Sequence, residues 1–343
     1  MKQINWKESY PNLPTIPLPK RWLENGIAGT ATEEQIISHK LHFKEPISGN
    51  EEKELLECIR FYNELADSLK RFDFTSVKDD KLEEFINYFD YAYNYLWLHS
   101  NQIELFETYR LVNNSDRKSK EFVHQLGHPS LDIAKKKNAL NRASSSKSTV
   151  FYSSETVDLA FKELKPSIGK IVTLGVWIPK GNRKLLAYPI MGNPSVQLKN
   201  ENSRTAGYAF SELKNRFHPL FGLFMDGYFN ILNYEFSKPI KNKQEYLISS
   251  LFSERIFEER EKNWTYDCIV YPSVGGEYTL SNFAIKPSVV DSRLQLIKAF
   301  EFEIGETFYD KKASTNKPRE LSVANVKIRR ESKSIIGGRI EWI

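Results

Sequence analysis

Segments with helical spacing and segments with strand-like spacing alternate unevenly along this chain, and their order constrains the fold most. Helical patterns dominate residues 1–101, short strands begin near residue 102, and a helical block fills residues 205–259 before strands return. Regular βαβ repetition would give an even alternation and a parallel sheet. The uneven order instead predicts an α+β fold, with a mixed sheet core, helical insertions and a helical N-terminal region.

Two helices are predicted within the first 101 residues. Apolar side chains recur at helical spacing over residues 51–71, and residues 80–98 carry apolar or aromatic side chains on nearly every face. A helix that is apolar all round must be buried between layers or against a partner. We therefore expect residues 1–101 to serve in docking or oligomerisation, and residues 102–343 to form a separate domain that carries the chemistry.

Composition and charge narrow the function classes. Of 343 residues, 40% are hydrophobic and 27% are charged, which predicts a buried core. The net charge of +5 is small for this length and does not indicate direct binding to nucleic acid. Cys58 and Cys268 cannot form a disulfide framework, and no run of about 18 apolar residues indicates a membrane span. We expect a cytoplasmic protein without membrane attachment.

Several familiar catalytic signatures are absent from the sequence. No GxGxxG motif follows a predicted strand, and GxxxxGKS/T, HExxH and GxSxG do not occur. His124 and His128 have the spacing of helical metal ligands, but Gly127 and Pro129 indicate a helix end or loop there. The chain is therefore expected to use no metal ion and no bound cofactor.

One short stretch places a carboxylate beside a predicted core. The helix predicted over residues 155–164 has Ser154 as its N-cap and an apolar stripe on one face. Glu163 lies about 110° from the centre of that stripe, at the border where a side chain can face a cleft. Tyr152 ends the preceding strand and is expected to line the same cleft.

Four stretches together resemble a known family. They are ETYRLV with Arg110, NRASSS with Arg142, FYSSETVDLAFKEL with Glu163, and YPSVGGEYTLSNFAIKP with Ser273. Over residues 104–302 the order of these stretches resembles the RES-domain family, which is named for its arginine, glutamate and serine. The sequence departs from the family around Arg142, where the usual neighbouring glycine and aromatic residue are missing.

This resemblance implies an ADP-ribosyltransferase-like core and an NAD-degrading enzyme. The reaction it implies is phosphorolysis or hydrolysis, with NAD as substrate and phosphate as a co-substrate in the first case. Family members often act as toxins held by an antitoxin or inhibitor protein, and we expect a homo-oligomer. The implied catalytic residues are Arg110, Tyr152, Glu163 and Ser273, and the implied substrate-binding residues are Tyr109, Arg142 and Asn282.

The chemistry of such a site explains these residue types. Breaking the nicotinamide–ribose bond develops positive charge on the ribose, which the Glu163 carboxylate would stabilise. Arg110 and Arg142 suit a pyrophosphate or phosphate because a guanidinium fork matches two oxygens and stays charged. Tyr152 would stack on the nicotinamide or ribose, and the Ser273 hydroxyl would bind the ligand.

Alternatives remain open at this point. Transfer of ADP-ribose to a protein would use the same cleft, and a non-catalytic module would bind NAD or ADP-ribose without cleaving it. From spacing alone, Glu163 and Tyr152 also fit ordinary surface and strand positions. Arg110 could pair with Glu104 or Glu107, and Ser273 could serve only as a turn residue.

Overall fold

The computed structural model describes residue 14 and residues 46–76, 79–92, 101–114, 118–257, 266–307 and 324–343. The strands there are β1 (Asn101–Glu104), β2 (Thr108–Asn113), β3 (Phe151–Ser154), β4 (Ile171–Pro179), β5 (Lys184–Pro189), β6 (Cys268–Pro272), β7 (Ser281–Ile285), β8 (Leu294–Thr307), β9 (Ala324–Ile336) and β10 (Arg339–Trp342). The α-helices there are α1 (Gly49–Arg71), α2 (Asp79–Ala92), α3 (Leu131–Lys136), α4 (Val157–Leu164), α5 (Pro194–Gln197), α6 (Glu201–Arg216), α7 (Pro219–Ser237), α8 (Leu247–Phe257) and α9 (Pro287–Arg293). Short 3-10 turns cover Phe74–Ser76, Val123–Gln125 and Lys243–Tyr246. The architecture is α+β, as the sequence predicts.

The described strands form one mixed sheet of ten strands, in the order β1-β5-β6-β7-β3-β2-β4-β8-β9-β10. Only β5 and β6 run parallel among these neighbours. Strands β4 and β8 pair along the whole of β4, whereas β2 and β3 pair at the single position Tyr109–Ser154. The two halves of the sheet therefore meet at a seam with almost no backbone ladder.

Helices cover one face of the sheet and build the largest hydrophobic core. Helices α1 and α2 contribute to this core together with α6, α7 and α8. The ring of Phe89 in α2 meets that of Phe252 in α8 edge-on at 4.9 Å, and the ring of Tyr62 in α1 meets that of Phe224 in α7 at 5.1 Å. The described helices of residues 1–101 thus share a core with the middle of the chain. A domain boundary near residue 101 stays a prediction.

Helix α4 packs on the same face, on the other side of the seam. Its buried residues Ala160 and Phe161 lie towards β2, β4 and β8, and the Phe161 ring is 5.9 Å from that of Phe302. Thr156 caps this helix, because its side chain accepts the Leu159 N–H at 3.2 Å. The prediction of Ser154 as N-cap was wrong, since that residue ends β3.

The chain ends in a hairpin of β9 and β10, and Gly181 takes a positive φ of 82° in the turn between β4 and β5. The first short strands, which the sequence places from near residue 102, are β1 and β2. Residues 93–98 of the second predicted helix lie outside the described residues.

Among the helices described, none is long and apolar enough to cross a membrane.

The shared core makes a prediction about unfolding. Phe89 is 2% exposed against the fully buried Phe252, so Phe89→Ala should lower the free energy of unfolding of the whole chain by about 3–5 kcal/mol. Phe106→Ala is the control, since Phe106 is 59% exposed and should cost less than about 1 kcal/mol. Denaturant unfolding followed by circular dichroism measures both. A separate early transition in Phe89→Ala, with the main transition unchanged, would contradict the shared core.

Candidate active site

A cavity of about 310 Å³ lies over the seam between β2 and β3. Six of the seven residues that the sequence singled out line it: Tyr109, Arg110, Arg142, Tyr152, Glu163 and Asn282. The seventh, Ser273, is fully buried and donates a hydrogen bond to Glu163. Residues far apart in sequence therefore meet at one place.

Glu163 lies in the last turn of α4, on its exposed side. The buried stripe of the helix ends at Phe161, so the carboxylate stands at the border of the core and faces the cavity, as its helical angle predicts. A carboxylate is disfavoured there by the negative end of the helix dipole. Hydrogen-bond donors are needed to hold it in this position.

Two buried side chains supply those donors. The Ser273 hydroxyl and the Asn282 amide both donate to Oε1 of Glu163, the amide at 2.8 Å. Asn282 in turn accepts the Ser154 hydroxyl at its Oδ1, at 2.9 Å. Among the described residues, the second carboxylate oxygen, Oε2, has no hydrogen-bond partner. The network fixes the direction of the carboxylate and leaves one oxygen for a ligand.

The loop after β6 brings Ser273 to this position. The Gly276 N–H donates to the Ser273 hydroxyl at 3.0 Å, while Glu277 and Tyr278 take positive φ values of 53° and 64°. A Cβ on Gly276 would lie 2.9 Å from Leu159, so glycine permits the close approach of this loop to α4. Ser273 is thus both a turn residue and a partner of Glu163.

The side chain of Arg110 reaches across the seam between β2 and β3. Its Nη1 donates to the carbonyl of Tyr152 at 2.7 Å, and its guanidinium lies 5.1 Å from the centre of the Phe151 ring. It forms no ion pair with Glu104 or Glu107, and Glu107 instead accepts the hydroxyl of Tyr109. Burial lowers the pKa of Arg110 to about 10, so the side chain remains a cation at neutral pH.

Arg142 is anchored at the end of a helix. Its Nη1 donates to the carbonyl of Glu235 at 2.9 Å and its Nη2 to that of Lys238 at 3.1 Å. These carbonyls lie at the C-terminus of α7, where backbone acceptors lack helical partners and attract cations. The guanidinium also lies 5.3 Å from the centre of the Tyr246 ring. A guanidinium has five N–H groups, so donors remain for a ligand.

The two predicted tyrosines play different parts. The buried hydroxyl of Tyr152 accepts the backbone N–H of Ala143, so it holds the loop that carries Arg142. Burial raises the pKa of Tyr152 above its usual value. The Tyr109 hydroxyl donates to Glu107 near the surface, and burial together with this bond raises the pKa of Tyr109 to about 12. Both hydroxyls are therefore neutral at physiological pH.

Sequence reasoning missed several residues of the cavity wall. Tyr246, Tyr271, Asn141 and Ser154 also line it. Burial raises the pKa of Tyr271 well above its usual value. Tyr271 directly precedes the Pro-Ser of the YPS stretch, which was the available signal for it. Tyr246 is the last residue of the 3-10 turn Lys243–Tyr246, and no local pattern marks it.

No metal centre emerges from the residues that the structure describes. They contain no group of three or more His, Cys, Asp or Glu side chains placed to hold an ion. His128 lies 3.2 Å from the Asp291 carboxylate, while the His124 ring stacks on Phe122 at 5.6 Å. The two histidines therefore have separate partners.

No protein-family model, no curated protein and no solved structure matches this chain.

The role of the Tyr152 hydroxyl in holding this loop can be tested by measuring the free energy of unfolding. Tyr152→Phe leaves the buried Ala143 N–H without its acceptor, so the free energy of unfolding should fall by about 1–3 kcal/mol. Tyr109→Phe is the matched control, since its hydroxyl meets only the exposed Glu107, and it should change stability by less than about 0.5 kcal/mol. Chemical denaturation measures both. Equal losses in the two variants would contradict this role of the Tyr152 hydroxyl.

Proposed function

We propose that this protein is an enzyme that cleaves the nicotinamide–ribose bond of NAD. The observation that carries the proposal is the Glu163 carboxylate, which Ser273 and Asn282 orient towards a cavity that also contains two arginines. A carboxylate fixed in advance by donors, next to cations and aromatic rings, fits a ligand that combines a sugar, phosphates and a heteroaromatic ring.

The reaction needs such a carboxylate. When the bond breaks, its electron pair leaves with nicotinamide, which becomes neutral, and positive charge develops on the ribose at C1′. Glu163 would stabilise that charge through Oε2, while Oε1 remains held by its two donors. Because the donors fix the carboxylate before the charge develops, little reorganisation is needed during the reaction.

The arginines and aromatic rings of the cavity would bind the NAD molecule. Arg110 and Arg142 are each fixed by backbone carbonyls and keep further N–H groups for the pyrophosphate. The rings of Tyr152, Tyr246 and Tyr271 line the same cavity and offer faces to nicotinamide or ribose. Nicotinamide leaves without help from a metal ion because it departs as a neutral molecule.

The incoming nucleophile defines the reaction class. Water would give ADP-ribose, nicotinamide and a proton, and phosphate would give a phosphorylated ADP-ribose and nicotinamide.

The proposal includes the RES-domain assignment, and with it an ADP-ribosyltransferase-like core and a role as a toxin or defence effector that depletes NAD. It is supported by the resemblance over residues 104–302 and by the placement of Arg110 and Glu163 at one cavity, with Ser273 bonded to Glu163.

The first test is loss of the charge on Glu163. Glu163→Gln keeps an Oε1 acceptor for Ser273 and Asn282 but removes the negative charge, so nicotinamide release from NAD should fall by about 100-fold or more. Glu212→Gln removes one exposed carboxylate on α6 and should retain the wild-type rate. Chromatography of nicotinamide and of the ADP-ribose product, with and without phosphate, measures the rate and identifies the nucleophile.

Three outcomes separate the parts of the proposal. A wild-type protein that leaves NAD intact and labels no protein contradicts the enzyme assignment. A Glu163→Gln variant as active as wild type contradicts the role of Glu163 alone. Transfer of label from NAD to a protein, without free ADP-ribose, would identify an ADP-ribosyltransferase instead.

A further inference from the structure

A second and larger cleft lies on the opposite face of the sheet. Its volume is about 1350 Å³, and four cationic side chains line it: Arg110, Lys120, Lys137 and Lys180. Asp291 is the one carboxylate among the described residues of its wall. The lining therefore carries an excess of positive charge, in a chain whose net charge is only +5.

The single carboxylate does not neutralise these cations. The Asp291 carboxylate lies 3.2 Å from Nε2 of His128, and Lys180 donates to the backbone carbonyl of Asp291 at 3.2 Å. Lys120 and Lys137 have no ion-pair partner among the residues that the structure describes. Burial and the nearby charge of Lys137 both lower the pKa of Lys120, as expected for neighbouring ammonium groups without a counterion.

The floor of the cleft contains N–H groups without acceptors. Nε of Arg110 and Nε1 of Trp177 are buried, and neither has a hydrogen-bond partner in the described structure. Arg110 pairs in register with Gly175, and Nε1 of Trp177 lies 2.9 Å from the place where a Cβ of Gly175 would be. The two side chains therefore lie on the same face of neighbouring strands. Buried donors without acceptors are rare and point to a missing partner.

We propose that this cleft binds a phosphate-bearing small molecule of nucleotide size. Cations on the rim and donors on the floor match phosphate oxygens, which accept hydrogen bonds and carry negative charge. The spread of the cations over so large a cleft fits a molecule with more than one anionic group. Phe122, which is 41% exposed and stacked on His124, offers an aromatic face at the same cleft. The cleft shares Arg110 with the cavity beside Glu163, but the proposal does not require cleavage of NAD.

The test measures the binding of ADP to the full chain by isothermal titration calorimetry at fixed ionic strength. The double variant Lys120→Ala/Lys137→Ala should bind ADP about tenfold more weakly or worse than wild type. Lys53→Ala/Lys199→Ala removes the same charge from exposed lysines outside the cleft and should bind like wild type. Adenosine, which has the ring without the phosphates, should bind at least about tenfold more weakly than ADP. Thermal melting checks that both double variants fold, and Lys120→Gln/Lys137→Gln replaces the alanine pair if that pair does not.

Each alternative outcome overturns the proposal in a recognisable way. Equal losses in the two double variants would mean that only the general charge of the protein matters. Equal binding of adenosine and ADP would exclude a phosphate site. If Arg142→Gln abolishes ADP binding while Lys120→Ala/Lys137→Ala leaves it intact, ADP binds the cavity beside Glu163 and the second cleft is not the site. None of these measurements needs NAD cleavage, so failure of the proposed enzyme activity would leave them valid.

Discussion

The Arg110 guanidinium bridges β2 and β3 in the middle of the sheet, where backbone pairing is almost absent and the cavity lies. Strands β2 and β3 share one paired position, so side-chain hydrogen bonds join them where a ladder of backbone bonds joins other neighbouring strands. Arg110 donates to the Tyr152 carbonyl at 2.7 Å, and the Thr108 hydroxyl donates to the Ser154 carbonyl at 3.1 Å. A complete ladder would satisfy those carbonyls and bring the strands about 4.8 Å apart along their length. The cavity beside Glu163 lies over the place where that ladder is missing.

The polar network beside the gap carries an energetic cost that its hydrogen bonds offset. Glu163 stands at the unfavourable end of a helix dipole, and its partners Ser273 and Asn282 are 0% and 3% exposed. Each buried polar group would cost about 1–3 kcal/mol if it lost its partner, so the members of this network stabilise one another only as a set. Local rules are broken in this way mainly where a protein binds or reacts. This is a physical reason, separate from any resemblance, to regard Glu163 as the centre of the site.

Those parts of the site that local periodicity determines could be predicted from the sequence. The 3.6-residue period of α4 places Glu163 at the border of its buried stripe, and that inference needs no knowledge of the rest of the fold. The partners of Arg142 could not be found in this way, because the carbonyls of Glu235 and Lys238 lie 93 and 96 residues away. Ser154 shows the same limit, since it precedes a helix as a cap would, yet its hydroxyl bonds Asn282, 128 residues distant. Periodicity reports which side of an element is buried, whereas long-range pairing depends on how the elements assemble.

Arg110 also links the two faces of the sheet, because its side chain lines both the cavity beside Glu163 and the basic cleft behind it. Its Nη1 is bound to the Tyr152 carbonyl on one side, while its Nε has no acceptor among the described residues. The Tyr152 hydroxyl in turn holds the backbone of Ala143, the neighbour of Arg142. Arg110 and Tyr152 therefore lie between the basic cleft and the arginine of the cavity beside Glu163.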